Sequence, residues 1–261
     1  MNLDLSGKNA LVCGSSKGIG KAAAIELAKL GANITLVARS ANVMADLIKQ
    51  LARKSGQTHD FLAADFNNRD DLKRKITGLI TVKTIHILVN NTGGPPAGPI
   101  AESEEEAFLE AFQNHLICNQ LLTRHVVPGM KEAKYGRIIN IVSTSVKQPL
   151  EGLGVSNTVR AAVAGWAKTW SNELAPFGIT MNNVLPGATY TDRLRDLIQN
   201  KAAKLGVPEA EIVQQMEAEI PMGRFAVKEE IAAVVAFLAT PAAAYLTGVS
   251  IPVDGGRIKG L

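Results

Sequence analysis

Short apolar runs rich in β-branched residues recur along the chain, and segments with helical spacing separate them. The runs are Ala10-Leu11-Val12, Ile34 to Val37, Phe61-Leu62, Ile85 to Val89, Ile138 to Val142 and Ile179 to Leu185. None alternates cleanly between apolar and polar positions, which is the pattern of parallel strands covered on both faces. Gly20 to Leu30, Val43 to Arg53 and Asp71 to Leu79 carry apolar residues at helical intervals, with Gly31 and Gly56 placed to stop the first two. Alternation of this kind predicts right-handed crossovers and a doubly wound, mostly parallel sheet with helices on both faces. No repeat, low-complexity tract or Pro/Ser-rich linker interrupts the pattern, so residues 1–261 are expected to form one α/β domain.

The later helices have readable ends. Ser103, with Glu106 three positions on, fits a capping box, and Glu104 and Glu105 sit where a helix dipole favours negative charge. Phe108, Phe112, His115 and Leu116 then share one stripe, which points His115 inward. A helix from about Ser156 to Glu173 places Ser156 and Arg160 on one face. Asp192 to Lys204 and Pro208 to Ile220 form a helical pair within residues 189–224, with Gly206 closing the first and Pro208 opening the second. Ile212, Val213, Met216 and Ile220 line one side of the second helix. That stripe suits either a lid over an apolar or amphiphilic substrate, or a packing or subunit-contact face.

Composition narrows the classes. Hydrophobic residues make up 46% of the chain and charged residues 20%, which excludes a disordered protein and a transmembrane bundle. The net charge of +4 arises from interleaved signs, and the basic cluster Lys73-Arg74-Lys75 follows Asp70-Asp71. It reads as a solvated helix face, so no nucleic-acid partner is expected. Two cysteines are too few for a disulfide framework, and Cys13 reads as a small buried filler. No metal centre is expected. Met1-Asn2-Leu3-Asp4 lacks the basic start of a leader, so a soluble cytoplasmic protein without a membrane partner is expected.

The first strand–helix junction carries the chemistry. Cys13-Gly14-Ser15-Ser16-Lys17-Gly18-Ile19-Gly20 places three glycines where a strand ends and a helix begins. Gly14 permits a tight turn, Gly18 a close approach to a pyrophosphate, and Gly20 close packing of helix on sheet. Ser16, Lys17 and Ile19 complete the cradle, and the helix N-terminus supplies donors and positive dipole. At the end of the second strand, where a carboxylate would hold the ribose 2′-hydroxyl of NAD(H), the chain has Arg39-Ser40. Arg39 with Lys17 suits a 2′-phosphate, so NADP(H) is favoured over NAD(H).

With these residues in view, nearly the whole chain resembles the short-chain dehydrogenase/reductase family, and most closely its 3-oxoacyl-ACP reductases. The glycine loop is similar to TGxxxGxG, with Cys13 in the Thr place. Asp65 resembles the aspartate that meets adenine, and Asn90-Asn91-Thr92-Gly93 resembles NNAG. Pro186-Gly187 with Thr191 resembles the segment beside the nicotinamide, while Thr247-Gly248 and Val253-Asp254-Gly255-Gly256 resemble the last strand and turn. The resemblance implies a seven-stranded Rossmann fold, cofactor contacts at Asp65, Asn91, Gly93, Pro186, Gly187 and Thr191, and a homotetramer. It also implies a Ser, Tyr, Lys and Asn centre. Ser143 matches the serine, but Ser156 and Arg160 stand at the Tyr and Lys positions, and His115 at the Asn position.

These replacements change the proton chemistry. A tyrosine can donate because its pKa of about 10 is within reach of depression by a nearby cation. A serine hydroxyl is far less acidic. Arg160 keeps a cation for the ribose hydroxyls but cannot relay a proton. His115 or, preferably, Tyr190 on the substrate-side loop is then the candidate donor, with Ser143 and Ser156 on the carbonyl oxygen. Two readings remain: an NADP(H)-dependent oxidoreductase acting on a small-molecule carbonyl/alcohol pair with an atypical centre, or an NADP(H)-binding sensor or partner protein without turnover.

Overall fold

The apolar runs assemble into one seven-stranded sheet in the computed structural model, which describes residues 1–53 and 56–260. In chain order the strands are β1 (Asn9–Cys13), β2 (Asn33–Ala38), β3 (Asp60–Ala63), β4 (Ile87–Asn90), β5 (Gly136–Ile141), β6 (Ile179–Pro186) and β7 (Ser250–Val253). Their spatial order is β3-β2-β1-β4-β5-β6-β7, and every neighbouring pair is parallel. Strand order therefore reverses between β1 and β4, which opens a crevice at the C-terminal edge of the sheet.

The helices are α1 (Gly18–Lys29), α2 (Ala41–Gln50), α3 (Arg69–Val82), α4 (Glu105–Phe112), α5 (Cys118–Glu132), α6 (Gly154–Leu174), α7 (Asp192–Leu205), α8 (Glu209–Ala218) and α9 (Lys228–Leu238). Successive strand residues point to opposite faces, so β1 feeds both layers. Ala10 and Val12 join α1, α2 and α9 through Ala23, Leu27, Met44, Leu47 and Val235. Leu11 and Cys13 join α3, α5 and α6 through Leu72, Ile76, Leu122, Val126 and Ala167. Cys13 is thus the expected filler, and burial pushes its thiol pKa up.

Local signals were corrected at two helix ends. α2 stops at Gln50 rather than Arg53 because Leu51 turns extended, at ψ 139°, and is buried in the core. Gly56 does adopt φ 82°, but six residues past that stop. At α4 the capping box does not form. Ser103 Oγ donates to Pro99 O of the preceding 3₁₀ turn, and Glu104 takes the N-cap position without a side-chain bond. Between α4 and α5 one wide π turn, Gln113–Ile117, carries His115 inward, where it is 3% exposed.

A buried polar ladder crosses β4 to β7 near the crevice. Asn90, Asn140, Asn183 and Ser250 are register partners, so their side chains share one row. Asn90 Nδ2 donates to Asn140 at 2.8 Å, Asn140 to Asn183 at 2.9 Å, and Asn183 to Ser250 at 3.0 Å. We expect Asn140→Ala to cost about 2–5 kcal/mol, because it strands one donor and one acceptor in the interior. Denaturant unfolding checks this, with Ser250→Ala, which removes a single acceptor, costing less.

Candidate active site

The glycine loop has the geometry its spacing demands. Gly14 and Gly18 both hold φ +58°. A Cβ on Gly20 would lie 2.3 Å from Gly14 O and 2.7 Å from Asn91 Nδ2, so only glycine lets α1 sit this close to β1. Asn91 ties the loop from the neighbouring strand by donating to Cys13 O and Gly14 O, each at 3.3 Å. No side chain caps α1, whose N-cap is Lys17, so the first-turn N–H groups of Gly18, Ile19 and Gly20 face the crevice without a side-chain acceptor.

Arg39 and Ser40 lie exposed at the end of β2, Ser40 as an N-cap of α2 whose hydroxyl makes no capping bond. Arg39 forms no ion pair among the described residues. Lys17 does not join it: its ammonium sits 3.3 Å from Asp192 instead, an exposed pair that is readily exchanged. Asp65 lies just past β3 and accepts from the Asn67 N–H at 3.0 Å. Gly93 borders open space. Gly187 is pressed against the last turn, where a Cβ would meet Asp254 Cα at 2.7 Å, and its N–H donates to Val253 O. Thr191 closes the circle, its Cγ2 lying 3.7 Å from the Cβ position of Gly18. These loops and their uncapped donors fit a dinucleotide.

The proposed reacting end is built from β5, α6 and the π turn. Ser143 follows β5, and its Oγ accepts from the Ser145 N–H at 3.1 Å, which leaves its own proton free. Ser156 is 6% exposed on α6 and its hydroxyl makes no hydrogen bond to the described residues. One turn later Arg160 donates from Nη1 to Ile141 O at 2.9 Å, while its Nε is buried without a partner. Burial and Arg193 pull its pKa down to about 10. Outside this group, a cavity of about 230 Å³ lies between Thr144, Gln148 and Leu150 and the tail residues Arg257 and Lys259.

His115 Nδ1 shares a hydrogen bond with the Thr92 hydroxyl. Burial first, then the charges of Arg160 and Arg193, lower its pKa to about 2. It is therefore a neutral imidazole near pH 7, a poorer proton donor than the unperturbed side chain offered as a candidate above. Tyr190 is 63% exposed; its N–H donates to Ala226 O, and no hydrogen bond joins its phenol to Ser143, Ser156, Arg160 or His115.

The helical pair leaves and re-enters the domain at one point, a bridge between Thr189 and Ala226. Its apolar stripe is consumed internally: Ile212 and Ile220 pack with Leu194, Ile198, Ala202 and Phe225. The stripe therefore holds α8 on α7, and it no longer argues for an apolar substrate. What faces the crevice is the start of α7. There Arg193 donates to Gly94 O at 2.8 Å and Pro95 O at 3.0 Å, across the cleft. Sequence reasoning missed Arg193. A signal existed, since a cation in the first turn of a helix opposes the dipole.

A family model described as enoyl-(acyl carrier protein) reductase matches residues 14–257. The chain is 33% identical to a 3-oxoacyl-[acyl-carrier-protein] reductase of Pseudomonas aeruginosa, covering 97% of this chain and 98% of the relative. It is 29% identical to the NADPH-dependent reductase BacG of Bacillus subtilis, over 98% and 100%. The solved L-sorbose reductase of Gluconobacter frateurii, complexed with NADPH and L-sorbose, superposes with a TM-score of 0.92 at 31% identity, over the full length of both chains. The protein belongs to the short-chain dehydrogenase/reductase family. Among the described residues no helix is long and apolar enough to cross a membrane.

The state of His115 has a measurable consequence. Its folded pKa lies below the unfolded value of about 6.5, so the unfolded chain binds a proton that the folded chain refuses. Stability from this group is complete above pH 6.5 and is lost as pH falls toward the folded value. We expect the unfolding free energy of His115→Gln to fall less steeply than wild type between pH 6.5 and 5, by up to about 1.4 kcal/mol per pH unit. Equal slopes in denaturant titrations would mean that His115 charges in the folded state.

Proposed function

We propose that the protein is an NADP(H)-dependent oxidoreductase that interconverts a carbonyl and an alcohol on a small-molecule substrate. The observation that carries this reading is the convergence of the cofactor-type loops on one crevice, beside a buried cation whose Nε has no partner. Uncapped donors at Gly18 to Gly20 would hold the pyrophosphate, Arg39 and Ser40 the 2′-phosphate, and Asp65 the adenine end. Asn91, Gly93, Pro186, Gly187 and Thr191 would frame the nicotinamide. The NADPH-dependent relatives support the choice of coenzyme.

When bound, NADPH would supply the hydride for the carbonyl carbon, and the carbonyl oxygen would need one proton to give the alcohol. Ser143 and Ser156 present hydroxyl protons to that oxygen. Arg160 holds the nicotinamide ribose and places a fixed positive charge beside the oxygen as it becomes negative. His115 stays neutral and positions Thr92. The proton comes from solvent, with the exposed Tyr190 phenol as the relay on the substrate side. Replacing the acidic tyrosine by serine lowers the rate by about 10²–10⁴-fold relative to a complete centre, while correct placement preserves catalysis by proximity. A cytoplasmic homotetramer with α4, α5, α6 and β7 at its interfaces belongs to the same reading, and Leu109, 70% exposed on α4, is an apolar contact suited to it.

A second reading is favoured by one observation: no acid of suitable strength bonds Ser156. It makes the protein an NADP(H) sensor. Fluorescence titration should show NADPH binding tighter than NADH, with Arg39→Ala weakening NADPH by about 10- to 100-fold, as loss of a charged hydrogen bond does. NADPH oxidation against a ketone panel then separates the readings. Binding without turnover, with activity gained by Ser156→Tyr with Arg160→Lys, selects the sensor. No binding of either coenzyme removes both.

A further inference from the structure

The segment that follows β7 folds back onto the site. A Cβ on Gly187, which frames the nicotinamide in the reading above, would lie 2.7 Å from Asp254 Cα, so the two segments are in direct contact. From there Asp254 sets a tight turn. Its carboxylate accepts from the Gly256 N–H at 3.0 Å and from the Ile258 N–H at 2.8 Å. Gly255 at φ +65° and Gly256 at φ +86° permit the turn, and they lie against Ile220 and Pro221. Arg257 pairs with Glu219, the residue after α8. The turn thereby delivers Arg257 and Ile258 to the cavity of about 230 Å³ that Thr144, Gln148, Leu150 and Glu219 also line.

Two of those walls belong to the reacting end as well. Thr144 directly follows Ser143, and its carbonyl accepts from the N–H groups of Lys147 and Gln148. Leu150 is pinned by Asn157, the neighbour of Ser156 on α6. Its N–H donates to Asn157 Oδ1 at 3.3 Å, and its carbonyl accepts from Asn157 Nδ2 at 2.8 Å. One cavity therefore touches the loop that carries Ser143, a residue held from beside Ser156, and the turn packed on Gly187.

Size and lining decide what it can take. At about 30 Å³ for each water-sized atom, 230 Å³ has room for roughly seven or eight, less than a whole-ligand pocket offers. The cavity thus suits one arm of a substrate. Leu150 and Ile258 give it aliphatic walls. Arg257 and Glu219 neutralise each other while adding donors and acceptors, and the Gln148 amide makes no hydrogen bond to the described residues. A carboxylate on the arm would meet Glu219, and an ammonium would meet Arg257. A hydroxyl, which both donates and accepts, conflicts with neither.

We propose that this cavity holds a hydroxylated arm of the substrate, so that the protein takes a neutral hydroxyketone, with Gln148 and Ile258 as residues that determine specificity. The proposal rests on the reductase reading above. The carbonyl meets Ser143 and Ser156, and the arm extends past Thr144 between Leu150 and Ile258.

The test begins with NADPH-loaded protein, loading being verified by fluorescence. Erythrulose and xylulose are compared with butanone and methyl propyl ketone, which have the same carbon skeletons without the hydroxyls. Hydroxyacetone, too short to fill the cavity, is the length control. For at least one pair kcat/KM should favour the hydroxyketone by about 3- to 10-fold, the worth of a hydrogen bond. Gln148→Leu should bring that ratio toward unity. Ile258→Trp, which fills the cavity, should lower kcat/KM for xylulose by about 10- to 100-fold more than for hydroxyacetone. Alkyl ketones reduced as well as hydroxyketones throughout would overturn the proposal and leave the reductase reading standing. So would ratios that neither substitution moves. If no ketone turns over, quenching of bound NADPH fluorescence by xylulose, and its loss in Ile258→Trp, decide alone, and absence of quenching overturns the proposal. Failure of NADPH to bind is a separate result that overturns the reductase reading and this proposal with it.

Discussion

The approach of α1 to the end of β1 is the contact on which the rest of the crevice depends. Gly20 lies where any Cβ would enter Gly14 O, and the Asn91 amide is seated on the same carbonyls. One contact therefore ties β1, α1 and the loop after β4 at the point where strand order reverses. It also fixes the direction of the uncapped first turn of α1. A side chain at Gly20 would push the helix away, and its donors would no longer converge on one phosphate-sized space.

Charge is distributed around that frame with a clear asymmetry. Several cations away from the crevice are paired: Arg74 and Lys75 with Asp71, Arg224 with Glu230, and Arg257 with Glu219. Arg137 is buried but fully enclosed by carbonyls and a ring. At the crevice Arg39 and Arg160 form no salt bridge among the described residues, Asp196 offsets part of the Arg193 charge, and His115 is held neutral by burial and by Arg160 and Arg193. A cleft left positive in this way favours anions and stabilises charge developing on oxygen. That compensates in part for a serine standing where a stronger acid would serve.

The helical pair adds a second wall. Its apolar residues close on one another, and the Thr189–Ala226 bridge joins its two ends to each other. Polar contacts tie the segment on three sides: Lys17 with Asp192 at the glycine loop, Arg193 with the Gly94-Pro95 carbonyls, and Glu219 with Arg257 and Met222 N–H with Gly255 O at the tail.

The alternation of strands and helices, the glycine turn and the ends of α7 and α8 were legible in the sequence, because they follow from local periodicity, φ preference and capping. Ser156 and Arg160 do share α6, one turn apart, as their spacing predicted. The capping box at Ser103 failed because a 3₁₀ turn upstream claimed its hydroxyl, a choice made by backbone geometry that spacing does not encode. The state of His115 and the hold of Arg193 on the loop after β4 needed tertiary structure. Arg193 meets a carbonyl 99 residues away, and His115 meets Thr92 only because a π turn aims it inward. Local sequence determines what each segment becomes. Which charges end up buried together, and which are left without a counter-charge, depends on chain segments that only the folded sheet brings side by side.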